Sequence, residues 1–218
     1  MLLFPLAADV PMYRWPFANF IIIGVTAAFS VMVFAGAVPE REVEAMVLQW
    51  SVKGLFGYML VHGDVLHLLG NMLFLWVFGN AVCAKVGNIP YFFIYVGTGA
   101  AAGVAHLLVA EAPAIGASGA VNGVVGMYLM LYPLNNITVF YLFIYYIGTF
   151  ALSGMWLILM WLAFDLWGAW TGAPGVAYWA HLGGFAGGFL LATALLLSGV
   201  IRMSSTECSL IAYLRGET

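Results

Sequence analysis

The sequence predicts an all-α membrane protein, a bundle of six transmembrane helices. Hydrophobic residues make up 65% of the chain and charged residues 7%, and the mean hydropathy is +1.05. An ordinary soluble domain carries roughly 25% charged residues. The few charges also delimit long uncharged stretches, and a helix needs about 20 apolar residues to cross a bilayer.

Gaps between charges locate the first three transmembrane spans. The chain is uncharged between Arg14 and Glu40, which predicts a first span over residues 17–38. Two further uncharged stretches predict a second span over residues 65–84 and a third over residues 87–110. A charge at the centre of a span is costly, so we expect each of these stretches to lie within the hydrocarbon.

The next uncharged stretch, residues 112–164, is too long for a single crossing. It breaks at residues 132–136, Tyr-Pro-Leu-Asn-Asn, which predicts a fourth span over 118–131 and a fifth over 143–167. The fourth is short, about 21 Å at 1.5 Å per residue, against a hydrocarbon core of roughly 30 Å. We therefore expect Ser118, its first residue, below the membrane surface at the foot of a water-filled cavity.

A sixth span is predicted over residues 176–200, and residues 202–218 then form a tail. Six spans put both termini on one side of the membrane, and that side has the excess of basic residues. The side of the termini carries Arg14, Lys85, Arg202 and Arg215, whereas the opposite side carries Arg41 and Lys53. This excess predicts cytoplasmic termini, and the expected location is a bacterial inner membrane.

Residues 39–64 carry several charges and are expected outside the hydrocarbon. Within them, apolar residues recur at the spacing of an interfacial amphipathic helix, at Val43, Met46, Val47 and Trp50. We interpret the segment as an interfacial loop resting on the membrane. Substrate gating is the alternative.

Several classes of function find no support in the composition. A net charge of −3 with six Lys and Arg argues against binding of nucleic acid, which needs clustered positive charge. Cys83 and Cys208 have no metal-ligand spacing, so we expect neither a metal nor another cofactor. Residues 1–10 lack a basic region and contain Pro5, which argues against a cleavable signal peptide.

Three polar sites are expected at one depth, near the extracytoplasmic ends of spans two, four and six. The fourth begins with Ser118 between glycines, and a serine hydroxyl is a poor nucleophile unless a base takes its proton. The candidate bases are His62, His67, His106 and His181. Each polar residue alone has a structural alternative, such as helix packing or a bond to a carbonyl. Together they would supply a nucleophile, a base and hydrogen-bond donors, and polar groups in spans often mark functional positions.

Small residues would let these sites meet. Gly184 and Gly188 share the helix face of His181, and the fourth span has a similar surface of small residues. On the fourth span this surface is formed by Gly119, Gly123 and Gly126. On the second span, His67 and Asn71 are four residues apart and therefore share one face of the helix.

At these positions the sequence resembles the rhomboid family of intramembrane serine proteases. The resemblance rests on His-Gly-Asp-Val-Leu-His-Leu-Leu-Gly-Asn at 62–71, Gly-Ala-Ser-Gly at 116–119, and Ala180-His181 followed by Gly184 and Gly188. Order, spacing and number of spans all match. The resemblance implies an endopeptidase that hydrolyses peptide bonds in or near transmembrane segments of single-span or other membrane proteins in the lipid bilayer.

The resemblance also implies roles for individual residues. Ser118 would be the nucleophile and His181 its general base, a dyad without a carboxylate. His67 and Asn71 would stabilise the oxyanion together with the backbone N–H of Ser118. Supporting parts are expected for His62, Gly116 and Asn122.

One position departs from the family pattern. Many members carry an aromatic residue four positions after the serine, beside the catalytic histidine, whereas this chain has Asn122. We expect this change to tune activity, with the amide bonded to the imidazole or to water. Asp64 and Asp165 are not expected to act in catalysis; for Asp165 an interfacial or capping role is expected. His106 is interpreted as structural.

Two other functions remain as alternatives. The first is a catalytically weak or inactive rhomboid-like protein that binds membrane clients, although every catalytic position is present. The second is a transporter, which lacks support because His67, His106 and His181 all fall toward one side of the membrane. The sequence leaves the oligomeric state open.

Overall fold

A computed structural model describes residues 2–110 and 112–217 of the chain, and most of these residues are helical. The membrane-length helices are interleaved with short ones. In chain order the helices are α1 (Phe17–Phe34), α2 (Glu40–Met46), α3 (Val52–Gly57), α4 (Val65–Phe74), α5 (Asn80–Val86), α6 (Asn88–Val109), α7 (Ser118–Leu131), α8 (Gly154–Thr171), α9 (Tyr178–Leu197) and α10 (Leu210–Leu214). A 3₁₀ turn, Tyr58–Leu60, follows α3, and a π-helical turn, Leu75–Gly79, joins α4 to α5.

The protein is mostly helical, as expected, but it is not all-α, because the structure also contains a three-stranded antiparallel sheet. Its strands are β1 (Leu2–Ala8), β2 (Asn136–Phe143) and β3 (Tyr146–Ser153), in the order β1-β2-β3. Helix α8 therefore begins at Gly154, well after the start of the fifth span expected over 143–167. Runs of β-branched and aromatic residues such as those in β2 favour strands. Because this run carries no charge, the sequence analysis assigned part of it to a membrane span.

Within the described residues, four helical segments are long and apolar enough to cross a membrane. They are Phe17–Phe34, Val65–Val86, Asn88–Val109 and Tyr178–Leu197. The protein is therefore an integral, multi-pass membrane protein. Helix α7 is apolar but has only 14 residues, and α8 has 18 residues but contains four tryptophans and Asp165. Crossing of the membrane by α7 and α8, which a six-span bundle requires, stays a prediction.

Helix α7 lies at the centre of the bundle, and every residue from Gly123 to Leu131 is buried. Glycines bring α9 against this helix. A Cβ added at Gly184 would overlap the carbonyl oxygen of Gly119, and one added at Gly188 would overlap that of Gly123. The backbones of α7 and α9 are therefore in direct contact.

The segment between α1 and α4 is anchored to the bundle by backbone and side-chain bonds. Leu48 N–H donates to the carbonyl of Ala114 at 2.9 Å, and the Tyr58 hydroxyl donates to the carbonyl of Gly99 at 2.7 Å. Helix α2 ends at Met46, since Val47 is extended. The amphipathic helix expected through Trp50 is thus shorter than its apolar spacing suggested.

Candidate active site

Five of the seven expected site residues line one cavity of about 450 Å³. The cavity is bounded by α4, the start of α7, and the start of α9 with the turn before it. It therefore joins the three elements that carry the expected nucleophile, base and oxyanion donors. The five residues are His67, Asn71, Ser118, Asn122 and His181.

Ser118 is the first residue of α7, and the loop before it requires glycine at position 116. Gly116 has φ +115°, a conformation that side chains disfavour. A Cβ there would also lie 2.6 Å from Nε2 and Cε1 of His67. The N–H of Gly116 donates to the carbonyl of Tyr58 at 2.9 Å. The close approach of this loop to the His67 ring thus depends on the missing side chain.

His62 links the same loop to α1 through its two ring nitrogens. The backbone N–H of Ala117 donates to Nε2 at 3.3 Å, and Nδ1 lies 2.9 Å from Oγ of Ser30. Burial, and then the nearby His67, lowers the pKa of His62 to about 4, so the ring is neutral at pH 7. Because Nε2 accepts, the proton is on Nδ1 and is donated to Ser30, whose hydroxyl donates to the carbonyl of Leu60 at 2.8 Å.

His67 and Asn71 lie on the first turns of α4, which Asp64 caps. Oδ1 of Asp64 accepts from the backbone N–H of His67 at 2.8 Å, as an N-cap residue does. The side-chain amide of Asn71 donates to the carbonyl of His67 at 3.0 Å. Asp64 is therefore a helix cap, and its bond fixes the start of the helix that carries both expected oxyanion donors.

His181, in the first turn of α9, is paired with a carboxylate that the sequence analysis set aside. Its Nδ1 lies 3.0 Å from Oδ1 of Asp165 on α8, and both side chains are partly buried. Asp165 does not cap α8, because the C-terminus of this helix is closed by Gly172 in the left-handed conformation. The interfacial position expected for Asp165 stays a prediction. No sequence signal pointed to this pair, since its members are 16 residues apart on different helices.

Asn122 does not contact the imidazole through a hydrogen bond. Its amide donates to the carbonyl of Ser118 at 3.0 Å, one turn back along α7. The amide is therefore bonded to the helix backbone and not to the imidazole. The ring of Tyr178 lies edge-on to that of His181, with centroids 6.4 Å apart.

Ser118 and His181 share the cavity, but the described residues include no hydrogen bond between their side chains. In free enzymes catalytic hydrogen bonds are often long and tighten only when substrate binds. His106 lies outside this cavity: it is buried on α6, and its Nε2 is 2.9 Å from the carbonyl of Ala112.

Comparison with known proteins gives one consistent result. A family profile described as the Rhomboid domain matches residues 49–198. Over 153 residues, 64% of this chain and 41% of the relative, the sequence is 31% identical to Rhomboid protein 1, mitochondrial, of Saccharomyces cerevisiae. It is 30% identical to Rhomboid protease GluP of Bacillus subtilis over 69% of this chain and 27% of the relative. It is 34% identical to RHOMBOID-like protein 4 of Arabidopsis thaliana over 67% of this chain and 36% of the relative. The chain thus matches less than half the length of these relatives.

Proposed function

Because the chain belongs to the rhomboid family, we propose that it is an intramembrane serine protease with Ser118 as nucleophile and His181 as general base. The observation that carries the proposal is the single cavity lined by Ser118, His181, His67 and Asn71. A nucleophile, a base and two side chains with N–H groups in one cavity are the parts that acyl transfer needs. The proposed substrates are transmembrane segments of other membrane proteins.

The reaction begins when Oγ of Ser118 attacks the scissile carbonyl carbon and Nε2 of His181 takes the hydroxyl proton. The carbonyl oxygen becomes an oxyanion, which accepts hydrogen bonds from His67, Asn71 and the backbone N–H of Ser118. His181 then gives its proton to the leaving nitrogen as the C–N bond breaks. Water, activated by the same base, hydrolyses the acyl-enzyme and regenerates Ser118.

The proposed topology places this site on the extracytoplasmic side. With six spans, α7 and α8 cross the membrane as well, and both termini are cytoplasmic. In a bacterial cell the membrane is the inner membrane. Helix α7 is about 21 Å long at 1.5 Å per residue, so Ser118 lies below the surface and the cavity supplies the water that hydrolysis consumes.

One observation favours a second candidate, a weak or inactive protein that binds membrane clients. It is the missing hydrogen bond between Ser118 and His181 within the described part of the chain. Such a protein would retain the bundle and the cavity, and would bind a transmembrane segment without cutting it.

Cleavage of a labelled transmembrane substrate by the detergent-purified protein separates the two functions. We expect a product with the wild type and none with Ser118→Ala or His181→Ala, since removing one member of a nucleophile–base pair loses nearly all of its benefit. His67→Ala and Asn71→Ala should each lower kcat by a smaller factor, on the order of 10²–10³. Binding of the substrate without any Ser118-dependent product would instead establish the binding protein.

A further inference from the structure

We propose that Asp165 is a positioning residue for His181, so that Asp165, His181 and Ser118 act as a linked series. The proposal rests on the proposed protease function and deepens it. Its basis is the contact between Oδ1 of Asp165 and Nδ1 of His181 at 3.0 Å.

The proposed role assigns one tautomer to the imidazole. With the carboxylate of Asp165 as acceptor, the hydrogen between the two atoms belongs to Nδ1 of His181. In a neutral imidazole the lone pair then lies on Nε2. This is the tautomer that a general base needs, because Nε2 is left free to take the proton of Ser118.

Among the described residues, Asp165 makes the only side-chain hydrogen bond to His181. Asn122, the cavity residue one turn after Ser118, gives its amide to the carbonyl of Ser118. The ring of Tyr178 makes only a T-shaped contact with the imidazole. The orientation of the imidazole therefore depends on α8 as much as on the helices that carry the nucleophile and the base.

Within the described residues, the carboxylate of Asp165 neither caps a helix nor pairs with a Lys or Arg. In the described part of the chain, its one side-chain partner is His181, and the end of α8 is closed by Gly172. A carboxylate within a membrane helix costs a few kcal/mol and tends to mark a functional position.

The carboxylate would act in each proton transfer of the reaction. When Nε2 takes the Ser118 proton, His181 becomes an imidazolium ion beside Asp165, which stays ionised and stabilises the positive charge. When Nε2 gives that proton to the leaving nitrogen, the neutral Nδ1–H tautomer returns. No proton moves to Asp165, so the step balances without another reactant.

Kinetics of the full chain in detergent test the proposal, with Asp165→Asn and Asp165→Glu compared with the wild type. We expect Asp165→Asn to lower kcat at least tenfold, toward the roughly 10⁴-fold loss seen for a fully buried triad aspartate, with KM and Tm unchanged. Asp165→Glu keeps the carboxylate and should recover part of kcat. Phe164→Leu is the matched control, since Phe164 precedes Asp165 on α8 and is exposed.

Two results would overturn the proposal. One is a wild-type kcat in Asp165→Asn. The other is a fall of both kcat and Tm in Asp165→Asn, with neither value recovered in Asp165→Glu. Ser118→Ala separates this failure from that of the protease function. If Ser118→Ala is inactive while Asp165→Asn is fully active, only the positioning role fails. If Ser118→Ala cleaves as fast as the wild type, the protease assignment itself fails.

A readout independent of turnover is the tautomer of His181 in ¹⁵N-histidine NMR spectra of the protein, with the signal assigned from His181→Gln. We expect the Nδ1–H tautomer in the wild type and a larger share of Nε2–H in Asp165→Ala. A predominant Nε2–H tautomer in the wild type would contradict the proposal.

Discussion

His62 shows how a buried side chain can fix the loop before Ser118 without entering the reaction. Its two ring nitrogens bind groups 55 and 32 residues away along the chain, the N–H of Ala117 and the hydroxyl of Ser30. Only the neutral ring can accept from Ala117, because a protonated imidazole has no free lone pair. The loop geometry therefore depends on the protonation state of His62.

This dependence predicts that His62 contributes to stability in a pH-dependent way. Its pKa in the folded protein is about 4, below the ordinary 6.5. The contribution is complete above pH 6.5 and is lost as pH falls toward 4, because the unfolded chain takes the proton first. The Tm difference between wild type and His62→Gln should accordingly shrink over this range. A difference that stays constant from about pH 7.5 to about pH 4.5 would show that His62 does not titrate as the structure requires.

At the scale of elements, the contact between α7 and α9 sets the distance between nucleophile and base. Gly184 and Gly188 face backbone carbonyls of α7, so neither position has room for a Cβ. Gly187, on the same helix, differs: a Cβ there would lie 3.8 Å from that of Ala101, an ordinary contact.

This difference predicts a matched pair of outcomes. Gly184→Val and Gly188→Ala should lower both Tm and the cleavage rate, since overpacking costs typically about 1–3 kcal/mol and pushes α9 away from α7. Gly187→Ala should retain the wild-type Tm and rate. Thermal unfolding and cleavage assays on the same preparations provide the check. Wild-type values for Gly184→Val would mean that the helices are not in backbone contact.

Sequence reasoning located the helices better than it located the sheet or the polar contacts. Charge spacing predicted a segment over 118–131, and α7 has these bounds. It did not reveal β2 and β3. An uncharged run is compatible with a strand or with a membrane helix, and this run has no periodicity that distinguishes the two. The pairing of Asp165 with His181 depends on how α8 packs against α9, which no local spacing encodes.

At the scale of the whole molecule, the proposed six-span bundle crosses the membrane an even number of times. The termini then lie on one side of the membrane, and residues 39–64 on the other. The tail is bound to the rest of the protein by an ion pair between Glu207 and Lys85 at the end of α5.

Labelling of single cysteines in intact cells tests this topology. In a background with Cys83→Ala and Cys208→Ser, a membrane-impermeant maleimide should label Glu40→Cys directly and Ser205→Cys only after permeabilisation. Both positions are exposed, so accessibility within the fold does not limit the reaction. Labelling of both positions in intact cells would require an odd number of crossings.

The most direct test of the central claim, that His181 activates Ser118 as a nucleophile, is covalent labelling with a fluorophosphonate followed by mass spectrometry of the peptides. We expect one adduct, on Oγ of Ser118, absent in Ser118→Ala and formed on the order of 10²-fold or more slowly in His181→Ala, because the hydroxyl needs a base. An adduct on another residue, or a wild-type labelling rate in His181→Ala, would contradict the account.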